Sequence, residues 1–210
     1  MKIKAVIWDF GGVLVRTEDR SKRILWEQEL QLEPGELDRL VFEGETGRKA
    51  ALGKAQAADI WQALGERFTL SDEDRRRLEQ DFWAGDHVDQ EFISLIRRMR
   101  PRLKTGLLSN AWPDLRHAIE SVWKIADAFD EIVISAEVGF AKPDPRMYQL
   151  ILDRLGVDAP QAVFIDDFVR NIEAAKQLGF ETIHFNTAAE TQSRLKNLLY
   201  EHSYLFETET

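Results

Sequence analysis

The chain has 210 residues, 44% hydrophobic and 31% charged, which suits one large domain or a core with a modest insertion and excludes global disorder. Its net charge of −9 argues against a polyanionic partner such as nucleic acid, while a small anionic substrate held by a few local cations stays open. The absence of cysteine excludes disulfides, thiolate zinc sites and thiol nucleophiles together.

Met1-Lys2 runs directly into a strand-like segment, Ile3 to Trp8, which leaves no room for a signal peptide. No uncharged apolar run approaches the roughly 18 residues of a membrane span. A cytoplasmic location is expected. The run Asp9-Phe10-Gly11-Gly12-Val13 follows the first strand.

Between Val15 and about Asp86 no strand is evident. Helix-like segments are separated by Pro34-Gly35, Gly44 to Gly47 and Gly53, with apolar stripes from Leu25, Trp26, Leu30, Leu37, Leu40, Val41, Ile60, Trp61 and Leu64. This predicts an all-helical insertion packed as a small bundle. Arg16, Arg20, Lys22 and Arg23 stand where it begins and are expected to be solvated surface cations, as is the Asp74-Arg75-Arg76-Arg77 run. Trp26, Trp61 and Trp83 are read as packing of the bundle.

Strand–helix alternation then begins. Phe92, Leu95, Ile96 and Met99 share a helix face, and Thr105–Leu108 reads as a buried strand ending at Ser109-Asn110. Leu115, Ile119 and Val122 mark the next helix, after Pro113. The strand Glu131–Ser135 leads to a loop carrying Lys142-Pro143-Asp144-Pro145. In the helix that follows, Asp144 suits the cap, Pro145 the first turn and Gly156 the stop. Ala162–Ile165 ends at Asp166-Asp167, with Asn171 four residues past Asp167. A last helix and the strand Glu181–Phe185 complete the pattern, and Glu207–Thr210 is expected to fray. Such alternation predicts an α/β fold, a doubly wound parallel sheet with helices on both faces.

Ligands bind beyond the carboxyl ends of such strands. That edge gathers Asp9, Ser109, Lys142, Asp166 and Asp167. Adjacent carboxylates there call for a neutralising cation, and oxygens from separate loops suit Mg²⁺ with a substrate phosphate. Ser109 and Lys142 can hold phosphate oxygens, and a metal-ordered carboxylate can attack phosphorus. Taken singly, Asp9 reads equally as a turn residue, Lys142 as ordinary loop chemistry and Ser109-Asn110 as a helix cap. His87, His117, His184 and His202 show no ligand spacing.

Four motifs in order, Asp9 to Val13, Ser109, Lys142 and Asp166 to Asn171, resemble those of the haloacid dehalogenase-like hydrolase superfamily over nearly the whole chain. The resemblance implies a Rossmann-like core of residues 1–15 and 87–210 with a helical cap of residues 16–86. It implies Asp9 as nucleophile and metal ligand, the Gly11 carbonyl and Asp167 as further Mg²⁺ ligands, and Ser109, Asn110 and Lys142 on phosphate. Lys142 would also pair with Asp9, and Asp166 and Asn171 would support.

The family's phosphatases usually carry a second aspartate two residues after the nucleophile, as proton donor; here that residue is Gly11. Glycine there is also found in members resembling bacterial sugar-phosphate phosphatases, with the phosphatase domain of soluble epoxide hydrolase another such helical-cap relative. Good leaving groups such as anomeric or acyl phosphates need that acid least. The expected activity is therefore magnesium-dependent hydrolysis of a small phosphorylated metabolite, sugar phosphates included. The alternatives are hydrolytic dehalogenation of 2-haloacids, which needs neither acid nor metal, and a binding protein that has lost turnover.

Overall fold

The structure, a computed structural model, describes residues 2–201, so the Glu207–Thr210 tail and His202 lie outside the described residues. The strands are β1 (Ala5–Trp8), β2 (Val15–Thr17), β3 (Asp86–Val88), β4 (Lys104–Ser109), β5 (Glu131–Ile134), β6 (Ala162–Asp166) and β7 (Glu181–His184). Five of them form one parallel sheet in the order β5-β4-β1-β6-β7. The chain builds outward from one side of β1, then returns to lay β6 on its other side. The crevice between the carboxyl ends of β1 and β6 is thus the point where strand order reverses, the place an open parallel sheet offers to ligands.

Helices α1 (Ser21–Glu29), α2 (Glu36–Asp38), α3 (Glu45–Ala50), α4 (Ala57–Phe68) and α5 (Asp72–Trp83) lie between β2 and β3. Then come α6 (Gln90–Met99), α7 (Leu115–His117), α8 (Ser135–Val138), α9 (Pro145–Leu155), α10 (Val169–Gln177) and α11 (Ala188–Glu201). Wide π-turns, Arg39–Glu43 and Ala118–Val122, prolong α2 and α7.

Strand alternation sends Val6 and Trp8 into one apolar cluster with Phe92, Ile96 and Leu195, and Ala5 and Ile7 into another with Met147, Ile151 and Ile172. Both faces of the sheet are therefore covered, which is why its strands read as continuous apolar runs. The insertion has its own cluster, with Trp26, Leu37, Val41, Ile60, Trp61, Leu78 and Phe82 buried, and Trp112 joins it from the loop after β4. The α9 punctuation forms as expected: the Asp144 side chain accepts from the Arg146 amide, Pro145 sits in the first turn, and Gly156 is left-handed.

Four expectations are corrected. First, Val15–Thr17 is a strand, pairing antiparallel with Asp86–Val88. Each strand has three residues, mostly polar, too few to show an apolar period. Second, Leu25 is exposed, because its neighbour Trp26 takes the inward position on α1. Third, Val122 is exposed, because the Trp123 amide reaches back five residues to the Ala118 carbonyl and the extra residue rotates Val122 off the face of Ile119.

Fourth, Arg23 is no surface cation. It is buried, donating to the Phe82 carbonyl (2.8 Å), Asp38 (2.6 Å) and Asp86 (2.6 Å), with its guanidinium 3.9 Å from the centre of the Phe82 ring. One fork thereby ties α1 to α2, to the end of α5 and to β3.

Candidate active site

β1 delivers Asp9 into the crevice, its amide donating to the Ile165 carbonyl of β6 at 2.8 Å. The turn behind it is closed by the Gly12 amide on the Val15 carbonyl and by the Leu14 and Val15 amides on the Phe10 carbonyl. Gly12 has φ +80°, and a Cβ there would stand 2.3 Å from Asp167 Oδ2. Glycine is needed at this point both for the turn and because the Asp167 carboxylate lies against its backbone. Gly11 differs: nothing lies within 4 Å of where its Cβ would be.

A buried charge cluster fills the crevice. Lys142 Nζ is 2.7 Å from Asp9 Oδ1 and 2.7 Å from Asp166 Oδ2. Asp166 also accepts from Asn171 Nδ2 at 3.0 and 3.1 Å and from the Phe168 amide at 2.8 Å. Asp9 Oδ1 further accepts from the Phe10 amide at 2.7 Å, so the Lys142 and Phe10 bonds both fall on one oxygen and neither engages Oδ2. Asp167 Oδ1 is buried without a hydrogen-bond partner.

The electrostatics follow from this packing. Burial, with the negative charges of Asp166 and Asp167, pushes the Asp9 carboxyl up to about 8 despite the pull of Lys142. Burial and Asp166 raise Asp167 to about 6. Burial alone would lower the Lys142 ammonium, but Asp9 and Asp166 outweigh it and hold it above its ordinary value. One ammonium is thus asked to balance three carboxylates.

Asn110, expected on phosphate, also holds a neighbouring loop, and Ser135, His184 and Tyr148 flank the cluster without having been singled out from sequence as site residues. Asn110 accepts from the Lys142 amide at 2.7 Å and donates to the Lys142 carbonyl at 2.8 Å, so its carboxamide grips the Lys142 peptide. Ser135 Oγ accepts from the Ala111 amide at 3.0 Å and donates to its carbonyl at 3.2 Å, fixing the loop after β4. His184 Nε2 lies 2.9 Å from the Asp167 carbonyl oxygen, and Tyr148 donates to the Asn171 carbonyl at 3.0 Å. Each partner is distant in sequence and carries no spacing signal. Ser109 is buried at the end of β4, next to β1, and among the described residues no hydrogen bond joins it to the cluster.

A metal fits this donor set. Oxygens of Asp9, Asp166 and Asp167 lie within 4.8 Å of one another. Asp166 is already saturated by Lys142, Asn171 and the Phe168 amide, so Asp9 and Asp167 are the carboxylates left to ligate. The raised carboxyls and the orphaned Asp167 Oδ1 are what a hard divalent cation would relieve.

The sequence profile of the haloacid dehalogenase-like hydrolases matches residues 3–179. The chain belongs to this family. D-ribitol-5-phosphate phosphatase of Bacteroides thetaiotaomicron is 27% identical over 94% of this haloacid dehalogenase-like chain and 98% of its own. Bifunctional epoxide hydrolase 2 of Sus scrofa is 24% identical over 94% of this chain, which spans only 38% of that longer protein. An enzyme of the family from Bacteroides thetaiotaomicron, solved with magnesium and inorganic phosphate, superposes with a TM-score of 0.72 at 20% identity, over 89% of this chain and 96% of that one. The fold and the hydrolase class expected from the four motifs are thereby established. Among the described residues no helix is long and apolar enough to cross a membrane.

Proposed function

We propose that this hydrolase cleaves small phosphate monoesters in a magnesium-dependent reaction through an aspartyl-phosphate on Asp9. The observation that carries the reading is the buried group of Asp9, Lys142, Asp166 and Asp167 at the sheet's reversal point. The phosphatase-named relative of similar length supports the same class.

Asp9, Asp167 and the Gly11 carbonyl would hold Mg²⁺, which when bound supplies positive charge against a phosphate oxygen and keeps both carboxylates ionised. Lys142 orients Asp9 through Oδ1 and leaves Oδ2 for the substrate. Asp166 and Asn171 fix the ammonium, and Asn110 fixes the peptide that carries it. Ser109 and the remaining Lys142 proton bind phosphate oxygens. Asp9 attacks phosphorus, the ester P–O bond breaks, and the leaving alcohol departs with the electron pair. Water then attacks the phosphorus of the aspartyl-phosphate, restoring the Asp9 carboxylate and releasing inorganic phosphate. No side chain at Gly11 gives the leaving group a proton, so that proton comes from solvent.

In this reading residues 16–86 are a cap over a core of residues 1–15 and 87–210, excluding water and choosing the substrate. The protein works in the cytoplasm on a phosphorylated metabolite, with sugar phosphates in the first panel to try. Gly11 favours a second reading, dehalogenation of 2-haloacids, because halide leaves without a proton. Asp167 stands against it, since that reaction has no use for a second, unpaired carboxylate.

The deciding experiment is phosphate release from sugar phosphates, acyl phosphates and p-nitrophenyl phosphate with Mg²⁺ and with EDTA, beside Asp9→Asn. Turnover that needs Mg²⁺ and vanishes in Asp9→Asn is expected. Halide release that persists in EDTA would replace the phosphatase reading with the dehalogenase one.

A further inference from the structure

Resting on the phosphatase reading, we propose that the substrate is an aryl phosphate whose ring is received by a wall of Phe42 and Trp83 seated on the buried Trp112. Two independent observations, one about the wall and one about the nucleophile loop, lead to that class.

The wall starts at the phosphate end of the site. Trp112 is three residues past Ser109, and three residues span at most about 11 Å. The intervening segment is fixed, Asn110 to the Lys142 peptide and Ala111 to Ser135 Oγ. The Trp112 ring lies 5.6 Å from Phe42 and 5.7 Å from Trp83, so the insertion brings both rings to this loop. They are held from behind: Trp83 is 4.9 Å from Phe82 and 6.3 Å from Trp61, and Phe42 is 5.6 Å from Phe82.

Yet Phe42 remains 43% exposed and Trp83 37%. Large aromatics that are braced by a core and still open to solvent form a patch, which a scattered surface ring does not. Trp83 stands at 71° to Phe42 and 78° to Trp112. The two exposed rings, Phe42 and Trp83, make a corner in which a flat ligand stacks on one and meets the other edge-on, with Trp112 buried behind them.

The second observation is Gly11, which puts no carboxyl where the family's phosphatases usually carry the leaving group's proton donor. A phenol has a pKa near that of tyrosine, about 10, whereas simple alcohols lie near water, about 16. Phenolate therefore leaves without help. As Asp9 forms its bond to phosphorus, the aryl P–O bond breaks and phenolate takes the electron pair, gaining its proton from solvent. Acyl and anomeric phosphates share the good leaving group but offer the corner no aromatic ring.

The test compares kcat/KM for 1-naphthyl phosphate and acetyl phosphate, both undemanding leaving groups, in the Mg²⁺-loaded full chain. The wild type should prefer the naphthyl ester. Phe42→Leu and Trp83→Leu, which keep apolar bulk for folding, should each lower the naphthyl-to-acetyl ratio about tenfold, mainly through KM. Phe42→Tyr, which keeps a ring, should hold the ratio, and so should Val122→Ala, an exposed apolar site elsewhere. A ratio unmoved by both leucine variants, or a wild type that prefers acetyl phosphate, overturns the proposal while the phosphatase reading survives. Turnover of neither ester overturns the phosphatase reading and this proposal with it.

Discussion

Lys142 and Asp166 form a 2.7 Å ion pair in which neither side chain is more than 1% exposed, and Asp9 draws on the same ammonium. The pair is a hub, since removing either partner strands charge in a place that water does not reach.

Lys142→Ala should therefore cost stability as well as activity. Buried Asp166 loses its only cationic partner among the described side chains, and Asp9 loses the ammonium that favours its ionised form, a change that typically costs about 3–5 kcal/mol. Urea unfolding at pH 7 in EDTA is expected to show that loss, with Mg²⁺ returning part of it by rebalancing the charge. An unchanged midpoint would mean that the carboxyls are neutral and Lys142 is not their counter-ion.

Stability of the metal-free protein should fall as pH rises. Asp9, held up to about 8 when folded, and Asp167, at about 6, keep protons that the unfolded chain, near 3.8, has lost. From about pH 4 upward the folded state binds more protons than the unfolded one, so each group subtracts stability until its folded pKa is passed. The slope is at most about 1.4 kcal/mol per pH unit for each proton. Melting in EDTA from pH 5 to 8.5 should show the decline, reduced in Asp9→Asn and Asp167→Asn. Mg²⁺ should flatten it, with the largest thermal shift at the alkaline end.

Gly11 and Gly12 should respond in opposite ways. A side chain at Gly11 enters open space, so Gly11→Asp should fold normally and supply the absent proton donor. It is expected to raise kcat on alkyl phosphates by about 10² or more, with little gain on aryl phosphates. Gly12→Ala drives a Cβ into Asp167 at 2.3 Å on a left-handed backbone. It should weaken Mg²⁺ binding in calorimetry and lower the melting temperature.

Asn110→Ala removes both bonds to the Lys142 peptide and leaves that peptide partly buried and unpaired. The expected cost is about 1–3 kcal/mol, with kcat falling more than KM rises, because Lys142 is misplaced while phosphate contacts remain. Asn110→Asp keeps the acceptor for the Lys142 amide and should recover part of kcat. A rise in KM alone would instead make Asn110 a direct substrate contact.

The residues at the strand ends were legible in sequence because a parallel sheet buried on both faces writes its strands as apolar runs. Whatever polar residue ends such a run stands out, as Asp9, Ser109 and Asp166 do. The insertion's helical content was legible for the opposite reason, since turn residues without intervening apolar runs leave only helix. The Val15–Thr17 and Asp86–Val88 ribbon was not, because its two polar strands define each other across the whole insertion. Arg23 was misread for a related cause: its partners Asp38, Phe82 and Asp86 converge only after folding. The same holds for Ser135 and His184, whose work is on backbone atoms of residues far away in the chain.

That ribbon has an evolutionary consequence. Thr17 and Asp86 are paired across adjacent strands, so the chain leaves and re-enters the sheet-bearing body at points one strand spacing apart, about 5 Å. Everything from Glu18 to Gly85 is thus a cassette with its two ends side by side, replaceable by a tight turn or by a foreign module without moving β1. Trp112 is one constraint on such an exchange, beside the Arg23–Asp86 pair and the close approach of Gly53 to the Ala136 carbonyl: it belongs to the recipient but is buried in the cassette. A compatible graft must bring its own socket for that indole, and lineages that swap the cassette should change residue 112 in step.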